Sequence, residues 1–127
     1  MVEEKKSRWC KICGVTSPKD GRILSEIGVS AIGLMFHQDS DRYVSYERAK
    51  RVSDEIKSVN PSVRTVGVFV NPTSEMVGDA IAEVGVDMLQ FHGSESPSFC
   101  ANFGLPYIKS VGVTAKTNFV QLDAEYR

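Results

Sequence analysis

Short β-branched and apolar runs alternate with longer stretches of helical periodicity along this chain, and that alternation constrains its fold more than any other feature. The runs begin near residues 9, 31, 64, 87 and 106, so each unit spans about 20 to 30 residues. Such spacing leaves room for a helix between successive strands, and right-handed crossovers then make the strands parallel. The chain is predicted to be α/β, with about five parallel βα units in a single domain over residues 1–127.

Punctuation between the runs supports this reading. After the first run, Trp9-Cys10-Lys11-Ile12-Cys13, comes Ser17-Pro18-Lys19-Asp20: a capping hydroxyl, a proline at the first helical position and an acid in the first turn. Ile23, Leu24 and Ile27 form the apolar stripe, and Gly28 stops it. A second strand over 31–36 leads into the polar loop His37-Gln38-Asp39-Ser40-Asp41-Arg42, and Ser45 caps a helix carrying Ala49, Val52 and Ile56. The third strand, 64–70, is followed by Asn71-Pro72-Thr73-Ser74-Glu75 and a helix that ends at Gly85. Strand four covers 87–91, a short helix starts at Ser96-Pro97, and strand five covers 106–111. Residues 116–127 read as a fifth helix that ends without a stop signal, as though the pattern were cut off.

Charge and composition narrow the function classes. Fifteen Lys+Arg against 16 Asp+Glu give a net charge of -1, which lacks the footprint of a nucleic-acid binder. No run of eighteen or more apolar residues is present, so no membrane span is expected. The charged start Met1-Val2-Glu3-Glu4-Lys5-Lys6 has no apolar core behind it and does not read as a secretory signal. Three cysteines do not make a disulfide framework, and a cytoplasmic location is the expectation. At 127 residues the chain supports one core but falls short of the roughly 200 that a closed (β/α)8 barrel needs.

Functional groups in parallel sheets gather at the carboxyl ends of strands. Strand one ends in Cys13-Gly14, strand two in Phe36-His37, strand three in Val70-Asn71 and strand four in Phe91-His92-Gly93. Cys10 and Cys13 form a C-x-x-C, but in an extended segment residues three apart lie about 10 Å apart, beyond disulfide reach. Zinc lacks a second ligand pair. Cys13 alone suits a thiolate base or nucleophile; the ordinary alternative is a small buried hydrophobe. In strand four, alternation places Met88, Gln90 and His92 on one face and Asp87, Leu89 and Phe91 on the other. The polar pair Gln90 and His92 suits either a substrate-lined mouth or a solvated sheet face. Arg42 has the geometry to clamp a carboxylate or phosphate, although most loop arginines do neither. No glycine-rich nucleotide loop or Walker sequence is present.

Five segments in register are similar to the phosphoribosylanthranilate isomerase family of tryptophan biosynthesis. They are Lys11-Ile12-Cys13-Gly14-Val15-Thr16; Ala31-Ile32-Gly33-Leu34-Met35-Phe36 with Ser40-Asp41-Arg42-Tyr43-Val44-Ser45; Val66-Gly67-Val68-Phe69-Val70-Asn71; Leu89-Gln90-Phe91-His92-Gly93-Ser94-Glu95-Ser96-Pro97; and Pro106-Tyr107-Ile108-Lys109-Ser110-Val111. The resemblance implies a TIM (β/α)8 barrel, here incomplete, and an Amadori rearrangement of N-(5-phosphoribosyl)anthranilate without metal or organic cofactor. An acid protonates the ribose ring oxygen, the ring opens to a Schiff base, and a base removes the C2 proton. By this resemblance Cys13 is the base, Arg42 contacts the anthranilate carboxylate, and Gln90 and His92 line the pocket. An ordinary thiol is only a few per cent ionised at neutral pH, so such a base gains from cationic or polar surroundings.

The resemblance also implies groups that this chain does not supply. The family's general acid is an aspartate ending strand six, and its phosphate grip follows strands seven and eight. Asp123 is not that acid, because the nine residues between Val113 and Asp123 are too few for a crossover of at least ~10 residues. Asp123 is instead expected on the fifth helix. His37-Gln38-Asp39 departs from the aromatic, proline and basic residue commoner in the family's second loop. The chain is therefore expected to be an N-terminal part of an isomerase, inactive alone. The rival is a non-catalytic half-barrel that self-associates through bare sheet edges or joins a complementary chain. A self-contained flavodoxin-like sheet is a third possibility and requires strand one in the middle.

Overall fold

The computed structural model describes residues 8–127, so the reading of the charged segment 1–6 lies outside the described residues. Five strands alternate with five helices: β1 Lys11–Cys13, α1 Pro18–Ile27, β2 Ala31–Met35, α2 Tyr46–Val59, β3 Arg64–Phe69, α3 Ser74–Asp79, β4 Met88–Phe91, α4 Pro97–Cys100, β5 Tyr107–Lys109 and α5 Phe119–Tyr126. The helix of α3 continues into a π-helical turn, Ala80–Val84, and that of α4 into a 3-10 turn, Ala101–Phe103. No helix among the described residues is long and apolar enough to cross a membrane.

Local chemistry sets the helix ends. The Ser17 hydroxyl accepts from the Asp20 N–H at 3.2 Å, and the Ser45 hydroxyl does the same for Arg48. Gly28 and Gly85 take left-handed conformations and return their N–H groups to carbonyls of the preceding turn. Thr73 caps α3, and Asn118 caps α5, which therefore starts at Phe119 and not at residue 116. Asp123 lies on α5, as expected.

All four strand pairings are parallel, in the order β1-β2-β3-β4-β5. The strands are shorter than the apolar runs because the ladder ends before the runs do. Pro106 has no N–H to donate, and the Ser110 N–H makes one last bond to the Phe91 carbonyl at 2.9 Å. With β1 at an edge, the flavodoxin-like order is excluded.

The sheet has two unlike faces. On one, Ile32, Leu34, Phe36, Phe69, Leu89 and Phe91 pack beneath Val52 and Ile56 of α2, Val77 of α3 and Cys100 of α4. Phe69 lies 5.5 Å from Phe36 and 6.1 Å from Phe91, an aromatic row along the upper strand ends. On the other face a small cluster of Ala31, Val66 and Val68 meets Met35 and Met88, with no helical residue in it. Consecutive parallel strands with helices on one face are singly wound, the arrangement that barrels use.

Candidate active site

The helix-free face carries Cys13 and Gln90. Cys13 ends β1 in register with Gly33 of β2, which pairs with Val66 of β3, which pairs in turn with Met88 of β4. Cys13 is exposed among the described residues, whereas a small buried hydrophobe would be covered. Cys10 and Cys13 are free thiols, and only Cys100 is buried. There burial pushes the thiol up, as expected of a structural cysteine.

Two glycines shape the space around Cys13. Gly14, at φ +82°, lies under the aliphatic stem of Arg42; a methyl group there would come within 3.1 Å of its Cγ. Gly33 leaves room for the sulfur, since a methyl group there would sit 2.9 Å from the Cys13 Sγ. The loop after β1 is docked on β2 by the N–H groups of Gly14 and Val15, both donating to the Gly33 carbonyl. Arg48 Nε, on the first turn of α2, donates to the Thr16 carbonyl at 2.6 Å.

Arg42 is held by a compact turn. The Ser40 N–H donates to the His37 carbonyl at 3.0 Å, Tyr43 N–H to Ser40 at 3.1 Å, and Val44 N–H to Met35 at 3.0 Å. The structure thus brings the first two predicted residues together through Gly14.

Gln90 faces the same side of the sheet, between Val68 and Ile108 in register. Its Nε2 donates to Ser110 Oγ at 3.0 Å, while its Oε1 is buried with no partner. His92 lies just beyond β4, exposed, its N–H bonded to the Phe69 carbonyl at 2.9 Å. Three strand spacings of ~4.8 Å separate β4 from β1, so Gln90 and Cys13 flank a face roughly 14 Å wide rather than touching. A cleft of about 340 Å³ between the loops after β2 and β3 is lined by Phe36, His37, Phe69, Asn71 and Met76 among others, not by Cys13 or Gln90.

Beneath the strand ends lies an ionic knot that sequence reading missed. Glu95 and Lys109 pair at 2.8 Å with side chains 2% and 8% exposed. Glu95 also accepts from the N–H groups of Asn71 at 2.8 Å and Gly93 at 3.0 Å, and Lys109 donates to the Gly93 carbonyl. Burial pushes the Glu95 carboxyl up, but Lys109 and the backbone N–H groups outweigh it and hold the carboxyl below the usual range. Asn71 is held at φ 47° in the same knot, its Oδ1 accepting from the Ser94 N–H at 2.7 Å. One residue pair thereby fixes the ends of β3, β4 and β5. Its signal in sequence is weak, because Glu95 and Lys109 are 14 positions apart. Among the described residues no group of three or more His, Cys, Asp or Glu is placed to hold a metal ion.

Comparison with known proteins bears on the family and the fold. A family model described as N-(5'-phosphoribosyl)anthranilate (PRA) isomerase matches residues 10–127. The N-(5'-phosphoribosyl)anthranilate isomerase of Nitrosomonas europaea is 43% identical over 116 residues, covering 91% of this chain and 54% of the relative. The crystal structure of phosphoribosyl anthranilate isomerase from Thermotoga maritima superposes with a TM-score of 0.76 at 34% identity, covering 93% of this chain and 56% of that one. A crystal structure of such an isomerase with reduced 1-(o-carboxyphenylamino)-1-deoxyribulose 5-phosphate gives the same score and identity, covering 93% and 59%. The chain spans about half the length of the curated relatives it matches. Its five βα units correspond to part of the barrel wall in those structures.

Proposed function

This chain belongs to the N-(5'-phosphoribosyl)anthranilate isomerase family, and from that premise we propose that residues 1–127 form the N-terminal part of one barrel domain, carrying the base side of an aldose–ketose isomerase. The observation that supports this best is an exposed Cys13 at a strand end, with Arg42 laid across the adjacent Gly14. In the proposed reaction, N-(5'-phosphoribosyl)anthranilate opens at the ribose ring after protonation of the ring oxygen. The Cys13 sulfur removes the C2 proton, and the enolamine becomes the ketose. Arg42 offers a planar fork to the anthranilate carboxylate. Gln90, on the same sheet face as Cys13 and with its Oε1 buried and unpartnered, and the exposed His92 just beyond β4 would line the pocket. No metal or organic cofactor enters the scheme.

The ring-oxygen acid and the phosphate grip are not among these residues in our reading, since Asp123 is an exposed helical residue. A polypeptide of these residues alone therefore turns over little substrate, and complementing strands restore it. Joining residues 1–127 to the remaining C-terminal part of the Nitrosomonas europaea isomerase tests this directly. Loss of substrate fluorescence is expected from the chimera and not from the 127-residue chain. In the chimera, Cys13→Ala lowers kcat/KM by about 10² to 10⁴-fold. An unchanged value removes Cys13 from the mechanism, and full turnover by the short chain overturns the division of labour.

A second reading rests on the strand order: β1 and β5 are each paired on one side only within the described residues. Such edges invite pairing with another chain, so self-association of this polypeptide is proposed alongside its catalytic role.

A further inference from the structure

Lys11 stands two residues before Cys13 on β1, so strand alternation projects both side chains from the same face. The structure shows how closely they meet. A methyl group on Gly33 would lie 2.9 Å from the Cys13 Sγ and 3.4 Å from the Lys11 Nζ, so thiol and ammonium converge on one point above β2. That convergence depends on glycine at position 33, because any larger side chain would come between them. Among the described residues, Lys11 has no carboxylate at ion-pair distance, unlike Lys57 with Asp87 or Lys109 with Glu95. Its charge is therefore not cancelled locally by those residues. The aliphatic stem of Arg42 lies over Gly14, the residue that follows Cys13.

We propose that Lys11 is a positioning residue for Cys13: its ammonium maintains a positive field at the sulfur and draws anionic reactants onto it. The role rests on the reading of Cys13 as the base toward a substrate that carries both a carboxylate and a phosphate. A fixed charge a few ångströms from a reacting atom acts before any contact with the substrate, and salt weakens it. Lys11 thus complements Arg42, which in that reading holds the carboxylate directly.

Charge-selective alkylation of the 127-residue chain tests the field without requiring turnover. Iodoacetate and iodoacetamide are similar in size and differ in charge, and modification at Cys13 is read by peptide mass spectrometry, with Cys10 as an internal reference. The iodoacetate-to-iodoacetamide rate ratio at Cys13 is expected to fall at least ~3-fold in Lys11→Met and to be kept in Lys11→Arg. For the unaltered chain, 1 M salt is expected to lower the ratio at Cys13 as well, which keeps the test decisive if Lys11→Met does not fold. A ratio unmoved by Lys11→Met in a folded chain, or unmoved by salt, overturns the proposal. If the ratio responds but Cys13→Ala leaves the chimera's kcat/KM unchanged, the field stands and the catalytic reading falls, so the two failures are separable.

Discussion

Glu95 is one carboxylate with three partners: the Lys109 ammonium and the N–H groups of Asn71 and Gly93. Removing its charge leaves the buried Lys109 ammonium with the Gly93 carbonyl but without a counter-charge. Glu95→Gln is expected to cost about 3–5 kcal/mol, measured by urea unfolding, and Lys109→Met added to it is expected to recover part of that loss. The pH dependence has a definite sign. The folded carboxyl titrates below its ordinary value of 4.5, so the unfolded chain binds the proton more readily. The contribution of Glu95 is therefore complete above about pH 4.5 and is lost as the pH falls through the lower folded value. The acid limb of a stability–pH curve should flatten in Glu95→Gln; an unaltered acid limb would show that the pair does not couple to folding. Cys13 and His92 at strand ends, Gln90 within strand four and Arg42 in the loop after strand two were legible in the sequence as candidates. Lys11 and Lys109 were not, because what distinguishes them is a neighbour on another strand.

At the scale of elements, the caps were readable because they are local. Ser17, Ser45, Gly28 and Gly85 act within five residues of themselves. Strand lengths were overestimated because an apolar run continues where hydrogen-bond pairing has already stopped. The π turn after α3 left no sequence mark, since its backbone pattern depends on how the helix docks. Helix faces offer a sharp test. Ile56 on α2 is fully buried and packs near Gly21 of α1, whereas Ile27, at the end of α1, is 71% exposed. Ile56→Ala should cost about 2–5 kcal/mol in urea unfolding, and Ile27→Ala no more than about 0.5 kcal/mol. Equal costs would mean that the helices sit on the sheet differently.

For the molecule as a whole, a parallel sheet that carries helices on one face leaves its other face and both edge strands without a covering layer in these residues. Sedimentation velocity over a hundredfold concentration range is expected to show dimers or larger species of the 127-residue chain. A single monomeric boundary throughout would rule out edge-mediated association. By itself the sequence determined the alternation of elements, their caps, their parallel sense and the family, because each depends on patterns within a few residues or on ordered motifs. Tertiary structure alone decided that β1 lies at an edge, that Gly33 lets Lys11 meet Cys13, and that Glu95 finds Lys109. Those outcomes depend on register between segments distant in the chain, and no local pattern carries the energy of contacts that form only when the strands are laid side by side.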